Sequence, residues 1–501
     1  MYKIESTSSD NYERLAASGF GELAVEGSHD AVWCPKETDP KVNQAQSSAP
    51  GASKGTFLDQ TIVLRGAAGA SLVTAVTDQF AAHRTLRRRR QAREVEHEQQ
   101  LLSCILANGL RCRWYRIAPL VAYQRKVDAA FYAELNRPKW LSAQALGRAV
   151  ALLTEAGLVE HQVGERGTSS GYSVTGELLN LAGASGVVER SLGRNLHRED
   201  LVQLKGLKPK PIFDLFSRSL IRRRADRIYF EPTSETEQWR DGLAAYNEFV
   251  GAQNISVDPP EDLLCRWVGE LNDDELHTGA KLRIPELFRD AVYRVFNDGT
   301  PDKPIFEKGG RLVGGWWINA PEEVRAHIKI NGEPTVELDY SACHPRMLYH
   351  EQRLDAPLDP YEIPEIIELE RRDDCKADAY RPLVKWLTQV LINGRGRPDL
   401  VPLPIDIGVP TDLKLRDITA FIQRRHEPIS ISFGSRAGLR LMKIESEIAF
   451  AIITNASQNG WLALPVHDSF IAQTSKKEEL RKMMVDEYKS RLGHQPTIKD
   501  K

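Results

Sequence analysis

Two aspartates stand where a strand-like run ends or is broken. Thr335-Val336-Glu337-Leu338-Asp339-Tyr340 alternates, contains β-branched residues and reads as a strand that closes on the carboxylate of Asp339. About 130 residues further on, Leu462-Ala463-Leu464-Pro465-Val466-His467-Asp468-Ser469-Phe470-Ile471-Ala472 is a second apolar run, interrupted by His-Asp. A lone Asp at a strand end is ordinarily a turn residue or a helix cap. Two such strands side by side would instead aim two carboxylates at one pair of divalent metals. That is the arrangement phosphoryl transfer uses, with one ion activating the attacking oxygen and the other stabilising the leaving one. Two cations lie between the aspartates in the chain. Arg381 to Gly394 reads as a helix: Arg381 precedes a proline and belongs at the cap, and Gly394 is a C-terminal stop. Lys385 follows Arg381 one turn later on the same face. Cations at a helix start suit a triphosphate, because the free N–H groups there add to the attraction.

The elements that must position these residues can be read from periodicity. Pro345 can sit in the first turn of a helix after the Asp339 strand. Leu439–Ser457 reads as an amphipathic helix leading into the second strand, with Ile444, Ile448, Ala451 and Ile452 on one side. Lys477–Leu492 reads as a closing helix with Leu480, Met484, Tyr488 and Leu492 nearly in register. Strand, helix, helix, strand, helix implies an α+β unit.

Asp339-Tyr340-Ser341 with Arg346, Arg381-x3-Lys385-x7-Asn393-Gly394, and His467-Asp468-Ser469-Phe470 resemble motifs A, B and C of the family A polymerase superfamily. That superfamily comprises family A DNA polymerases and single-subunit phage-type RNA polymerases. The resemblance covers roughly 300–495. It implies a polymerase palm with reduced helical fingers within 236–501, and DNA-directed nucleotide polymerisation from nucleoside triphosphates on a nucleic-acid template and primer. It further implies two Mg²⁺ ions held by Asp339, Asp468 and the backbone carbonyl of Tyr340. Arg381 and Lys385 would hold the triphosphate, His467 would position the primer end and Arg346 would brace the site. Two positions depart from the family pattern. His344 stands where the DNA polymerases place a sugar-discriminating Glu, and Asn393 stands where motif B has Tyr. Both line the expected nucleotide pocket, so the choice between DNA and RNA synthesis stays open; motif A and the bulk of His344 lean toward DNA, motif C toward RNA.

Elsewhere the chain is ordinary for a multi-domain globular protein: 501 residues, 27% charged, 41% hydrophobic. A net charge of −2 means that any nucleic-acid contact must come from local basic patches. Six scattered cysteines without a CxxC pair argue against a zinc site or a disulfide framework and for a reducing, cytoplasmic setting. No signal peptide or membrane-spanning run is expected.

Residues 1–95 read as a mostly disordered N-terminal region with a basic arm at Arg87–Arg90. Residues 96–180 resemble a winged helix, with a helix over 143–156 capped by Ser142, a strand at 158–163, a glycine-rich loop and a returning strand at 172–175. Arg148 and Arg166 would be its helix and wing contacts, whether to nucleic acid or to protein. Residues 181–235 are a basic linker with a helix expected over 215–228. Phe306–Trp317 pairs glycines with Arg311, Trp316 and Trp317, which either touch a nucleic-acid strand or form a hairpin with buried tryptophans. Two rival functions remain. One is a non-catalytic nucleic-acid-binding replication or regulatory protein of a mobile element. The other is a metal-dependent nuclease, which would have no need of the Arg381/Lys385 helix.

Overall fold

The computed structural model describes residues 55–83, 91–123, 140–164, 169–209, 212–214, 219–221, 225–270, 285–300, 302–372, 376–394, 403–404, 407–410 and 413–501. The arginine run at 87–90, Arg166 and the triple arginine at 222–224 lie outside the described residues.

The first unit is built from β1 (Gly55–Phe57), β2 (Ile62–Leu64), α1 (Gly66–His83), α2 (Ala92–Trp114), β3 (Leu120–Tyr123), α3 (Ala143–Glu155), β4 (Val159–Gln162), β5 (Ser170–Val174), α4 (Gly176–Ala184) and β6 (Leu192–Arg194). Its sheet has the order β1-β3-β5-β4, and β2 pairs β6. Helix α3 starts where its cap dictates: the Ser142 hydroxyl accepts from the Ala145 amide at 3.1 Å. It is followed by Gly157 at φ +71°. The expectation of an unstructured stretch as far as 95 fails over the described residues 55–83 and 91–95. Leu72, Val73, Val76 and Phe80 of α1 are buried against Leu101, Leu102 and Ile105 of α2. The abundance of Ala and Gly around these residues left α1 without a polar face to contrast with its apolar one.

The second unit comprises β7 (Val202–Gly206), β8 (Ile212–Asp214), β9 (Ser219–Ile221), β10 (Arg227–Ile228), α5 (Ser234–Gly251), β11 (Ile255–Val257), α6 (Glu261–Glu270), β12 (Tyr293–Gly299) and β13 (Gly309–Val313). Of the helix expected over 215–228, residues 215–218 and 222–224 lie outside the described residues, and the rest holds β9, paired with β8, and β10, which joins β7 in the sheet β10-β7-β12-β13. The register pairs Ile212 with Ile221, Phe213 with Leu220 and Asp214 with Ser219. Trp316 and Trp317 are buried in the main core, and the Trp317 indole donates to the Pro465 carbonyl at 3.0 Å. Of the two readings of that stretch, the hairpin with buried tryptophans is the one found. Arg65 reaches across to Asp290 at 2.7 Å, and Arg111 and Arg289 share Glu286, tying the first unit to the second.

The remainder holds α7 (Glu322–Arg325), β14 (Ile328–Ile330), β15 (Glu333–Tyr340), α8 (Cys343–Glu351), α9 (Pro364–Arg372), α10 (Arg381–Asn393), α11 (Leu415–Arg425), α12 (Gly438–Gln458), β16 (Ala463–Val466), β17 (Ser469–Gln473), α13 (Lys477–Leu492) and β18 (Ile498–Asp500). The sheet runs β11-β14-β15-β17-β16, with β18 alongside β15. Leu338, Phe470, Ile448, Ile452 and Met484 meet in the core beneath it. The described chain is thus a mixed α/β protein with several mainly antiparallel sheets. Among the described residues no helix is long and apolar enough to cross a membrane, and the described cysteines are free.

Candidate functional site

Strand register brings the two aspartates together. β15 and β17 are antiparallel with Asp339 opposite Ser469, and the Tyr340 amide donates to the Asp468 carbonyl at 3.2 Å. His467 and Asp468 form the two-residue turn between β16 and β17, where Val466 faces Ser469. His467 takes the left-handed conformation this tight turn needs, at φ +57°. Alternation along β15 sends Leu338 and Tyr340 into the core and Glu337 and Asp339 to the other face. The Tyr340 hydroxyl accordingly donates to the Met484 carbonyl at 2.6 Å, leaving only its backbone near the acids.

The charges around this pair are unevenly balanced. Burial, and then the charge of Asp468, raise Asp339 to about 6, against the pull of Lys501. Burial and the charge of Glu445 push Asp468 up as well. Glu337 and Glu445, their acidic neighbours, are held below the usual carboxylate range. For Glu337, burial is outweighed by Arg325 at 2.8 and 3.0 Å and by the Ser469 hydroxyl at 2.6 Å. For Glu445, burial is outweighed by His344 and Arg311. Lys501, brought in by β18, lies 3.5 Å from Asp339, 3.3 Å from Glu337 and 3.6 Å from Glu322. Asp339 and Asp468 are therefore carboxylates short of positive charge, beside two that are fully paired. This donor set fits a hard divalent cation such as Mg²⁺, which binds through one or two carboxylates and keeps several waters. Among the described residues no three His, Cys, Asp or Glu side chains converge as a metal cage.

His344 enters in the first turn of α8, after Ala342 has turned the chain at φ +49°. It is buried, with Nε2 2.9 Å from Glu445 Oε2. Arg311, on β13, grips both oxygens of Glu445 at 2.9 Å, so the cation expected to touch nucleic acid is engaged inside the protein. Arg346 donates to the Ser341 carbonyl at 3.0 Å and the Leu358 carbonyl at 2.6 Å, bracing the turns on either side of α8.

On α10, Arg381, Lys385, Gln389 and Asn393 recur every four residues and form one polar row. Arg381 pairs with Asp359 at 2.6 Å and lies over the Tyr361 ring at 5.6 Å. Gln389 reaches the Tyr361 hydroxyl at 3.5 Å. Burial pushes the Tyr361 phenol up to about 12, and Asp468 is among the charges acting on it, so the 359–361 loop links the row on α10 to the acid pair. Lys385 is exposed and makes no ion pair among the described residues. Asn393 bonds back to Gln389 at 2.9 Å and abuts Gly438 so closely that a Cβ there would lie 1.7 Å from its Oδ1. Glycine at 438 is what lets α12 approach α10. In the first unit, Arg148 is exposed on α3, bonded to its own helix at Gln144.

Glu445, Glu337, Lys501, Asp359 and Tyr361 carry much of this geometry and were missed by motif reading. Glu445 had a visible signal, an acid four residues from Leu441 and three from Ile448 on the buried face of α12. Glu337 had one too, two residues before Asp339 on the same strand face, whereas Lys501, Asp359 and Tyr361 have none, because register and tertiary packing bring them in.

The class of molecule these features define is a mixed α/β protein with a partly buried acid pair on an antiparallel sheet, flanked by a helix bearing a polar row. No family model matches the sequence, and no curated protein is similar to it. Among solved structures, the polymerase domain of Pol1 from M. smegmatis, in complex with DNA primer-template and dNTP, aligns with 88% of this chain at 12% identity and a TM-score of 0.26. The chain covers 66% of that protein's length.

Proposed function

We propose that this chain is a template-directed nucleotidyltransferase acting on nucleoside triphosphates. The observation that carries the reading is the juxtaposition of Asp339, near the end of β15, and Asp468, in the adjoining β16–β17 turn, both raised above the usual carboxylate range. Like charges held together in a partly buried site are costly to keep unless a ligand offsets them. In this reading Asp339 and Asp468, with the Tyr340 carbonyl, would hold two Mg²⁺ ions, which would supply the positive charge that phosphoryl transfer needs at the attacking and leaving oxygens. Arg381 and Lys385 bind the triphosphate and offset the charge that grows on it during transfer. His344 and Asn393 line the sugar side, His467 steadies the primer end, and the crowding by His344 favours deoxynucleotides modestly. The α3–β4–β5 region acts as a winged helix, with Arg148 and Arg166 as its nucleic-acid contacts.

Support comes from the polar row on α10, which a nuclease would not require. A non-catalytic binder would have no need of two partly buried aspartates short of positive charge. The test is primer extension with separate dNTP and NTP pools on DNA and RNA templates, alongside Asp339→Asn and Asp468→Asn. Metal-dependent extension lost in both variants is expected. Binding of nucleic acid without any extension under every pool would overturn the reading in favour of the non-catalytic binder.

A further inference from the structure

Resting on the proposed reading for the kind of partner, we infer that the open face of the sheet β10-β7-β12-β13 is a platform for single-stranded nucleic acid: Tyr229 and Tyr293 stack unpaired bases, and Lys205 and Arg227 hold the phosphates. Alternation gives this sheet two unlike sides. Val202 and Leu204 of β7, Arg294 and Phe296 of β12 and Leu312 of β13 are buried on one side. The alternate positions of the four strands, from Arg227 through Lys205 and Tyr293 to Arg311, are at least partly exposed, and none holds an acid.

Charge and rings on that open side go together. Register sets Lys205 directly opposite Arg227. Like charges so placed repel. Arg227 is paired with Asp200 and donates to the Glu199 carbonyl at 2.9 Å, whereas Lys205 makes no ion pair among the described residues. The pair therefore keeps one positive charge that an anion on this face would offset. The connection from β7 to β10 adds Lys208, Lys210, Arg218, Arg222, Arg223 and Arg224 to the sequence, against Asp214 and Asp226. Tyr229 is 48% exposed, and the Arg227 guanidinium carbon lies 5.3 Å from the centre of its ring. Arg194 of β6 stands 5.5 Å from the Tyr293 ring in the same way. A ring beside a guanidinium offers a stacking surface to a base and a charge to the adjoining phosphate.

The only aliphatic side chains that the strands turn to this side are Val295 and Val313. A protein partner would find no apolar centre there, and a duplex would keep its bases from the rings. The face also leads to the acid pair. Three strand spacings, about 14 Å, separate β10 from β13. On β13, Arg311 grips Glu445, and its charge bears on Asp468 and His467. A single strand laid from Tyr229 toward Arg311 arrives beside the turn that carries Asp468.

The test is fluorescence anisotropy of a labelled single strand of about 20 nucleotides, and of its duplex, on the full-length protein in EDTA without triphosphate. Tyr229→Ala should weaken binding of the single strand roughly tenfold or more and leave its salt dependence unchanged, and Tyr229→Phe should keep the parent affinity. Lys205→Ala should weaken it several-fold and lower the slope of log K against log salt by about 0.7. An oligonucleotide carrying 5-iodouracil, photo-crosslinked and read by mass spectrometry, should attach to Tyr229 or Tyr293. Unchanged affinity in both alanine variants overturns the inference. So does a loss in Tyr229→Ala that is equal for the duplex, or a crosslink confined to residues outside this sheet. Displacement by poly-glutamate as readily as by unlabelled single strand overturns it in favour of an acidic protein partner. Because no step is catalytic, a parent that binds as expected but extends no primer refutes the polymerase reading and leaves the platform standing.

Discussion

Lys501→Met should raise the protonation midpoint of Asp339. The Lys501 ammonium lies 3.5 Å from Asp339 Oδ1, and its side chain is 26% exposed. Two unit charges at that distance attract by about 5 kcal/mol at an effective dielectric near 20 and by about 1 kcal/mol in bulk water. Lys501 is shared with Glu337 and Glu322 and is partly wet, so the aqueous end of the range applies. About 1–2 kcal/mol corresponds to roughly one pH unit. The midpoint, about 6 in the parent, should therefore move to roughly 7. The sign follows from the folded state holding Asp339 above its ordinary 3.8. Its contribution to stability is fully present below that value and is lost as pH rises through about 6. Lys501→Met widens that window upward and deepens the loss. The assay is ¹³C NMR titration of carboxyl-labelled aspartate in metal-free protein, with Asp339→Asn identifying the resonance. A midpoint that stays put or falls would refute the reasoning, since it would mean that Lys501 does not bear on Asp339. At pH 8, where both proteins are ionised, Mn²⁺ should bind Lys501→Met several-fold more tightly, because a competing cation has gone.

Three further outcomes follow from the same geometry. Asp339→Asn should stabilise the metal-free protein at pH 8 by up to ~2–3 kcal/mol and flatten the fall in melting temperature between pH 4 and 7; a variant no more stable than the parent by calorimetry would show that the raised midpoint is not a folding cost. On the proposed reading, Lys385→Ala should lower triphosphate affinity and slow incorporation by about a hundredfold or more, because the exposed cation assigned to the growing charge is removed; an unchanged Kd for nucleotide contradicts this. Asp359→Asn should tighten triphosphate binding several-fold and steepen its salt dependence by releasing Arg381, whereas weaker binding would mean that Asp359 aims Arg381 at the nucleotide instead of masking it.

What could be read in advance followed the range of the physical signal. The strand ending at Asp339, helices α10, α12 and α13 and the cap at Ser142 all announce themselves within a dozen residues, by period, glycine or capping hydroxyl. The buried face of α12 was misjudged by a fraction of a turn: Leu441, Glu445, Ile448 and Ile452 point inward, while Ile444 and Ala451 are only partly covered. Charge on an apolar face is discounted by pattern reading, and Glu445 was lost that way. Arg311 looked free because its partner is 134 residues away. Lys501 reaches Asp339 only because β18 pairs with β15, a pairing that no local spacing encodes. Helix α1 failed for the opposite reason, since small residues on every side hide which face is dry.

Each half of the proposed centre faces one opposite charge from within the chain. Lys501 stands against Asp339, and Asp359 stands against Arg381, at 3.5 and 2.6 Å. Neither contact is sealed: the Lys501 and Asp359 side chains retain 26% and 33% exposure. Both can therefore swing into water when a stronger partner arrives, which a fully buried pair such as Arg325–Glu337 could not do without a large penalty. Exchangeable counterions belong where a ligand must bind, and a sealed ion pair belongs where the strand must be held. On the proposed reading, a cation bound to a triphosphate matches both openings at once, positive toward Asp339 and negative toward Arg381. The bare metal or the bare anion satisfies one and leaves the other guarded. Lys501→Met and Asp359→Asn remove the guards one at a time, so the preference for the joint ligand over either part should shrink in both variants.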